Sequence, residues 1–422
     1  MRIQELEGKE KAILVGCGTK KQEWSLRSTL EELKSLAETA QAVPVSQVLQ
    51  FRDRIDPAWY IGRGKAEEIA RMAEENEADL VIFDQELSPA QLRNLEELIP
   101  CKVIDRTQLI LDIFAQRART KEGKIQVELA QLKYLLPRLA GKGKAMSRLG
   151  GGIGTRGPGE KKLETDRRHI RRQISVLTKQ LAEIKKHRKL HQERRKKNGI
   201  PQVALVGYTN AGKSTLLNQL TGAGVLSENR LFATLDPTSR QLVLPSGKEV
   251  ILTDTVGFIR QLPHHLIAAF RSTLEQVKEA DLLLHVVDAS HPEAMEQVEA
   301  VEQVLADLNA ADIPVLMVWN KADRLERRVP EGWDPDHLLI SAFNEQDLNR
   351  LKARVEQALQ QEMIIGQAEI PVMRGDWISL LHHKAEMIES NTDDLMMVIK
   401  FRLSPADFDQ LPGELKSRIQ IQ

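Results

Sequence analysis

PQVALVGYTNAGKSTLLNQLTG, residues 201–222, decides the fold. The apolar run QVALV leads into GYTNAGKS, Gly207 to Ser214, and then into a stretch whose leucines recur at helical spacing. A GxxxxGKS loop between a strand and a helix is a phosphate cradle. Its glycines let main-chain amides wrap an anion, and the helix start adds its positive dipole end. Lys213 reaches the β- and γ-oxygens of a nucleoside triphosphate, and the Ser214 hydroxyl ligates Mg²⁺. The cradle takes in Gly207, Tyr208, Thr209, Asn210, Ala211, Gly212, Lys213, Ser214 and Thr215. A strand–loop–helix of this kind belongs to an α/β fold, a mainly parallel sheet flanked by helices.

Further motifs follow in chain order. LFATLDPT supplies Phe232, Ala233 and Thr234, with Thr234 read as the mobile-loop threonine that closes on Mg²⁺ and the γ-phosphate; Thr238 is the less favoured rival. VILTDTVG ends an apolar strand with Asp254, Thr255, Val256 and Gly257. Its aspartate holds the Mg²⁺ water shell, and its glycine amide senses the γ-phosphate. VLMVWNKAD ends another strand with Asn320, Lys321 and Asp323. A carboxylate at Asp323 accepts from guanine N1 and its exocyclic amine, donors that adenine does not present together, so GTP is expected over ATP. LLISAFN adds Ser341, Ala342 and Phe343 behind the base. The expected Mg²⁺ ligands are Ser214, Thr234 and, through water, Asp254; the residues expected to act in hydrolysis are Lys213, Thr234, Gly257 and Asn210. Phe258 stands after Gly257 where many small GTPases carry a water-orienting glutamine, so slow intrinsic hydrolysis is expected. Asn210 stands where certain GTPases use an asparagine to help hold K⁺, and potassium stimulation follows as an expectation.

Upstream of this region, residues 1 to about 112 alternate apolar strand candidates such as AILVGC, ADLVIF and CKVID with helical stretches, a second and smaller α/β unit. The glycines of WYIGRGKAEEI do not match a nucleotide fingerprint and read as turn chemistry. Two helical patterns come next. Ile125, Leu129, Leu132 and Leu136 form one apolar seam, and Ile170, Ile174, Leu177, Leu181 and Ile184 the other. Each alone would leave its seam in water, so an antiparallel hairpin is expected. GKGKAMSRLGGGIGTRGPG, residues 141–159, separates them with eight glycines and four basic side chains, Lys142, Lys144, Arg148 and Arg156. The expected boundaries are residues 1–115, 116–199 for the hairpin, 200–365 for the phosphate-loop unit and 366–422 for a small α/β appendage. That appendage reads as strand, helix LLHHKAEMIES and strand LMMVIKFRL.

The formal charge of the 422 residues is zero, yet Arg117 to Lys197 holds 25 Lys and Arg against 7 Asp and Glu. This local surplus of positive charge is the footprint of a polyanion-binding surface. RNA contact is therefore expected from Lys142, Lys144, Arg148 and Arg156, joined by Arg167, Arg168, Arg171 and Arg172 on the second helix. The N-terminal stretch lacks the apolar run of a secretory signal, and no segment approaches membrane-spanning length, so a cytoplasmic protein with no membrane partner is expected. Two cysteines and ten histidines form no metal or redox spacing.

With WYIGRGKAEEI, RLGGGIGTRGPGEKKLETDRR, GYTNAGKSTLLN, LFATLDPT, DTVGFI and NKAD in view, the chain resembles the HflX family of ribosome-associated GTPases, in the Obg-like group. The resemblance covers nearly all of the chain, and the middle stretch is its most specific part. It implies binding to the large ribosomal subunit and its RNA in the GTP form and separation of stalled or idle ribosomes. Hydrolysis would then drive release of what is expected to be a monomer. A GTP-dependent RNA-remodelling or ribosome-assembly factor, with an ATP site in the N-terminal unit, is the alternative.

Overall fold

The computed structural model describes residues 9–139, 158–197, 200–222, 224, 231–260, 277–325, 333–334, 337–361, 363–393, 395–403, 407–408 and 410–421. The N-terminal unit runs β1 (Lys11–Gly18), α1 (Glu23–Thr39), β2 (Val43–Phe51), α2 (Arg63–Glu75), β3 (Leu80–Phe83), α3 (Pro89–Leu98) and β4 (Lys102–Asp105). Its four strands are all parallel in the order β2-β1-β3-β4. Such a sheet is covered on both faces, and β1 accordingly buries six consecutive residues, Ala12 to Cys17. Gly62 is the N-cap of α2, so the glycine pair of WYIGRG serves a helix start.

Asp105 both ends β4 and caps α4 (Arg106–Arg117), its side chain accepting from the Gln108 amide. Then come α5 (Lys121–Arg138) and α6 (Pro158–Lys197). Ile125, Leu129 and Leu177 are buried between these two helices, with Leu132, Ile174, Leu181 and Ile184 packed around them. The two seams thus close on each other. Lys142, Lys144, Arg148 and Arg156 lie outside the described residues.

The third unit contains β5 (Gln202–Val206), α7 (Lys213–Thr221), β6 (Thr238–Val243), β7 (Glu249–Asp254), β8 (Leu282–Asp288), α8 (Ala294–Asp307), β9 (Val315–Asn320), β10 (Leu338–Leu339) and α9 (Glu345–Gln361). The sheet order is β10-β9-β8-β5-β7-β6, parallel except for β6. The reversal beside β5 is where open α/β sheets bind their ligands.

The last unit contains β11 (Ile364–Pro371), α10 (Gly375–Lys384), β12 (Glu386–Asp393), β13 (Met396–Leu403), α11 (Gly413–Lys416) and β14 (Ile419–Ile421), an antiparallel sheet in the order β12-β13-β11-β14. One expectation is corrected here. The helix of LLHHKAEMIES ends at Lys384, and EMIES opens β12, because pairing with β13 outweighs a weak helical pattern.

The first and third units share one continuous core. Leu30, Ile110 and Phe114 join Phe232, Leu235, Phe258 and Ile259 in a single buried cluster. The Phe114 and Phe232 rings meet edge to face at 4.7 Å.

Candidate active site

The cradle's shape requires glycine at two positions. Gly207 has φ +145°, and a Cβ there would lie 2.2 Å from the Val286 carbonyl oxygen. Gly212 has φ +97°, with the Asn320 side chain 2.4 Å from where its Cβ would be. Only a residue without a side chain lets the loop turn this tightly against β8 and β9.

Lys213 opens α7 and is buried, donating to the carbonyls of Gly207 at 3.0 Å and Tyr208 at 2.7 Å. Burial lowers its pKa to about 8; Asp254 offsets part of that shift and Lys321 adds to it. Asp254, the last residue of β7, is fully buried. Its Oδ2 accepts from Ser214 Oγ at 2.6 Å and Thr234 Oγ1 at 3.0 Å, and those hydroxyls lie 2.7 Å apart. Asp254 Oδ1 is buried with no protein partner. Desolvation pushes this carboxyl up, opposed by Lys213 and the two hydroxyls. One carboxylate and two converging hydroxyls form a hard-oxygen set of the kind that would suit Mg²⁺. The expected metal residues are thus brought together, whereas Thr238 begins β6, where its backbone is paired opposite Asp254 in the β6–β7 ladder.

Thr209, Asn210, Gly212, Lys213, Ser214, Thr215, Phe232, Ala233, Thr234, Thr255 and Gly257 line one polar pocket. A second groove joins it along Asn210, Gly212 and Thr215 and runs to Asn218, Asn320, Asp323, Ala342 and Phe343. Asn320 ties the two together, donating to the Ala211 carbonyl at 3.0 Å and accepting from the Ala342 amide at 3.1 Å. Ser341 Oγ donates to Asp323 Oδ1 at 2.6 Å and so aims the carboxylate. Phe343 is 72% exposed over the groove, an aromatic face open to a planar base.

Some expected residues face elsewhere. Tyr208 turns its ring out of the cradle, and its hydroxyl bonds Glu32 of α1 while accepting from the Arg260 amide at 2.7 Å. Val256 is buried in the shared core, and the Thr255 hydroxyl donates to the Leu205 carbonyl at 2.6 Å. Phe232 lines the pocket at its edge while its ring packs on Phe114. On α6, Arg168, Arg171 and Arg172 are exposed and Arg167 is half-buried.

Three stretches match known protein families: GTP-binding GTPase N-terminal over residues 27–115, GTP-binding GTPase Middle Region over 117–195 and 50S ribosome-binding GTPase over 202–321. The GTPase HflX of Alkalihalophilus pseudofirmus is 55% identical over 84% of this chain and 84% of its own. That of Caldanaerobacter subterraneus is 54% identical over 93% of this chain and 90% of its own. The chain belongs to the HflX family of GTPases. The Escherichia coli K12 GTPase HflX is 46% identical, with 82% of each chain covered. This HflX-family chain is accordingly an enzyme that hydrolyses GTP.

The motif reading missed several of its residues. Asp288 ends β8 and pairs with Lys321 at 2.6 Å. A carboxylate closing the apolar run LLLHVVD was the signal available for it. Asp236 accepts from the Arg119 and Thr120 amides, both at 2.8 Å, and so fastens the loop of Thr234 to the start of α5. Arg260, Ser28 and Glu293 form a triangle, with Arg260 Nη1 to Glu293 at 2.9 Å and Ser28 Oγ to Glu293 at 2.5 Å. Nothing in the local sequence marks residues that meet across 265 positions of chain.

Proposed function

We propose that this GTPase works as a timer on the large ribosomal subunit: its GTP form binds there and separates stalled or idle ribosomes, and hydrolysis lets it leave. The observation that carries this reading is the attachment of both nucleotide-sensing loops to the remainder of the chain. The loop of Thr234 is tied to α5 through Asp236 and to α4 through Phe232 on Phe114. The loop of Gly257 is tied to α1 through Tyr208, Glu32 and Arg260. A loop movement that follows the γ-phosphate therefore shifts the basic hairpin, which is the coupling a nucleotide-gated docking protein needs.

In this seating Lys213 and the cradle amides hold the phosphates, and Asp323, aimed by Ser341, accepts from guanine. Ser214 and Thr234, with Asp254 through water, would hold Mg²⁺, which would neutralise charge on the phosphate oxygens. Asn210 takes part in holding K⁺. The exposed Arg168, Arg171 and Arg172, together with Lys142, Lys144, Arg148 and Arg156, meet ribosomal RNA, and the description of the matching family as ribosome-binding supports that partner.

Sedimentation with ribosomes tests the timer. Protein loaded with a non-hydrolysable GTP analogue is expected in the large-subunit fraction, and protein loaded with GDP is expected to stay behind. Equal sedimentation with both nucleotides, or none with either, removes the proposal. Deleting residues 141–159 is expected to abolish subunit separation while GTP binding is kept. Turnover is expected to be faster in K⁺ than in Na⁺, and equal rates remove the potassium role.

A further inference from the structure

Phe258 leaves this GTPase without a water-orienting side chain at the position after Gly257. Its ring is 2% exposed and belongs to the core shared by the first and third units. A phenyl group there neither hydrogen-bonds nor reaches the pocket. The attacking water must be oriented by another polar group on the γ-phosphate side.

The hydroxyls around the pocket divide by what they already do. Ser214 and Thr234 are committed to Asp254, Thr255 to the Leu205 carbonyl, and Thr215 is half-buried on α7 where the pocket opens into the base groove. Thr209 differs. It is 6% exposed and lines the phosphate pocket, and its Oγ1 is buried with no hydrogen-bond partner. A buried hydroxyl left unpaired costs about 1–3 kcal/mol, so a retained one points to a partner supplied by the ligand.

The backbone puts Thr209 beside the γ-phosphate sensor. The Thr209 amide donates to the Phe258 carbonyl at 2.7 Å, and the Phe258 amide donates to the Gly207 carbonyl at 3.1 Å. These two bonds lay the DTVG turn along the cradle. A Cβ on Gly257 would meet Thr209 Cγ2 at 2.7 Å, Thr209 Cα at 2.8 Å and the Lys213 ammonium nitrogen at 3.0 Å. The Thr209 methyl therefore stands beside the glycine that senses the γ-phosphate and the lysine that binds it, and rotation about the Cα–Cβ bond brings the hydroxyl to the same place.

We propose that the Thr209 hydroxyl orients the attacking water in this chain, accepting a hydrogen bond from that water and donating its own hydrogen to a γ-phosphate oxygen. The role rests on the nucleotide seating proposed above. A hydroxyl can do both at once, as one donor with two acceptor lone pairs. The water oxygen bonds to the γ-phosphorus while the bond to the β,γ-bridging oxygen breaks. The electron pair leaves with GDP, and the water proton passes to a γ-phosphate oxygen, so no further base is consumed. Thr209 touches the reacting water and is in that sense catalytic.

The test compares Thr209→Val, which keeps the shape and removes the hydroxyl, with Thr209→Ser, which keeps the hydroxyl. Single-turnover GTP hydrolysis is expected to fall about ten- to a hundredfold in Thr209→Val and to stay within about threefold of the parent in Thr209→Ser. GDP affinity is expected to hold in both, while tightening of GDP by aluminium fluoride is lost in Thr209→Val alone. Wild-type hydrolysis by Thr209→Val overturns the proposal. So does an equal loss of GDP and GDP–aluminium fluoride affinity, the mark of a cradle merely deformed. Lys213→Ala reports on the seating separately: if it binds GTP as the parent does, the phosphate placement falls and this role with it.

Discussion

Lys213 is a cation held almost wholly out of water, and that sets a pH signature. Its pKa is lowered by burial to about 8 from an ordinary 10.5. Phosphates beside the ammonium favour the charged form and raise the pKa again when nucleotide binds. Affinity is therefore expected to be level below pH 8 and to fall above it, by at most about tenfold per pH unit, with a proton taken up on binding. Calorimetry of GDP binding at pH 8.5 in two buffers of unlike protonation enthalpy reads this directly. Buffer-independent heats there, with flat affinity, would contradict it. His285 on β8 gives a second signature. Burial, and then Lys213, lowers its pKa to about 4 from an ordinary 6.5. The folded pKa is depressed, so the unfolded chain binds the proton first as pH falls through 6.5, and stability drains away between there and pH 4. The full effect is about 3 kcal/mol. Urea unfolding followed from pH 7 to pH 4.5 should show a shallower loss in His285→Gln than in the parent, and parallel losses would refute the assignment.

At the scale of elements, the start of α5 depends on a residue from another unit. Thr120 caps the helix through the Gly123 amide at 3.0 Å, and Asp236 in turn accepts from Thr120 Oγ1 at 2.5 Å and from the Arg119 and Thr120 amides. A Cβ on Gly123 would stand 2.4 Å from Asp236 Oδ1, so the helix admits the carboxylate only because glycine is there. Asp236→Ala is expected to cost about 1–2 kcal/mol. Amide exchange should quicken in the first turn of α5 and in the loop of Thr234, with the α5–α6 seam unchanged; exchange unchanged in that turn would show that Asp236 holds nothing. Legibility followed the same division. The nucleotide motifs and the hairpin seams were readable because each rests on short spacing: four residues inside GYTNAGKS, or a 3-and-4 step along a helix. Asp236 and Glu32 were not, since their partners come from distant chain. EMIES was misread because strand pairing, not local pattern, decides its state.

For the molecule as a whole, the joint between the first and third units turns on Arg106. It is 2% exposed and donates to Asp84 at 2.8 Å, to Glu32, and to the Arg260 carbonyl at 3.3 Å. Burial alone would lower its pKa, but Glu32 and Asp84 outweigh that and raise it, so the guanidinium stays charged. Glu32 also holds the Tyr208 hydroxyl, whose pKa burial and that carboxylate push up, so it remains a proton donor at any working pH. Such a cluster adds little over a well-packed apolar joint while it is complete, yet removing one member strands the others in low dielectric. Arg106→Ala is therefore expected to lose about 3–5 kcal/mol, far beyond what its lost contacts alone would cost. Because Phe114, Phe232 and Phe258 belong to one core, the loss should not be confined to the N-terminal unit. Thermal unfolding should move down as a single transition, and exchange should rise both in α1 and in the turn after Gly257. Were only the N-terminal sheet to loosen while that turn kept its protection, the joint would be a passive contact and the nucleotide loops would carry no signal across it.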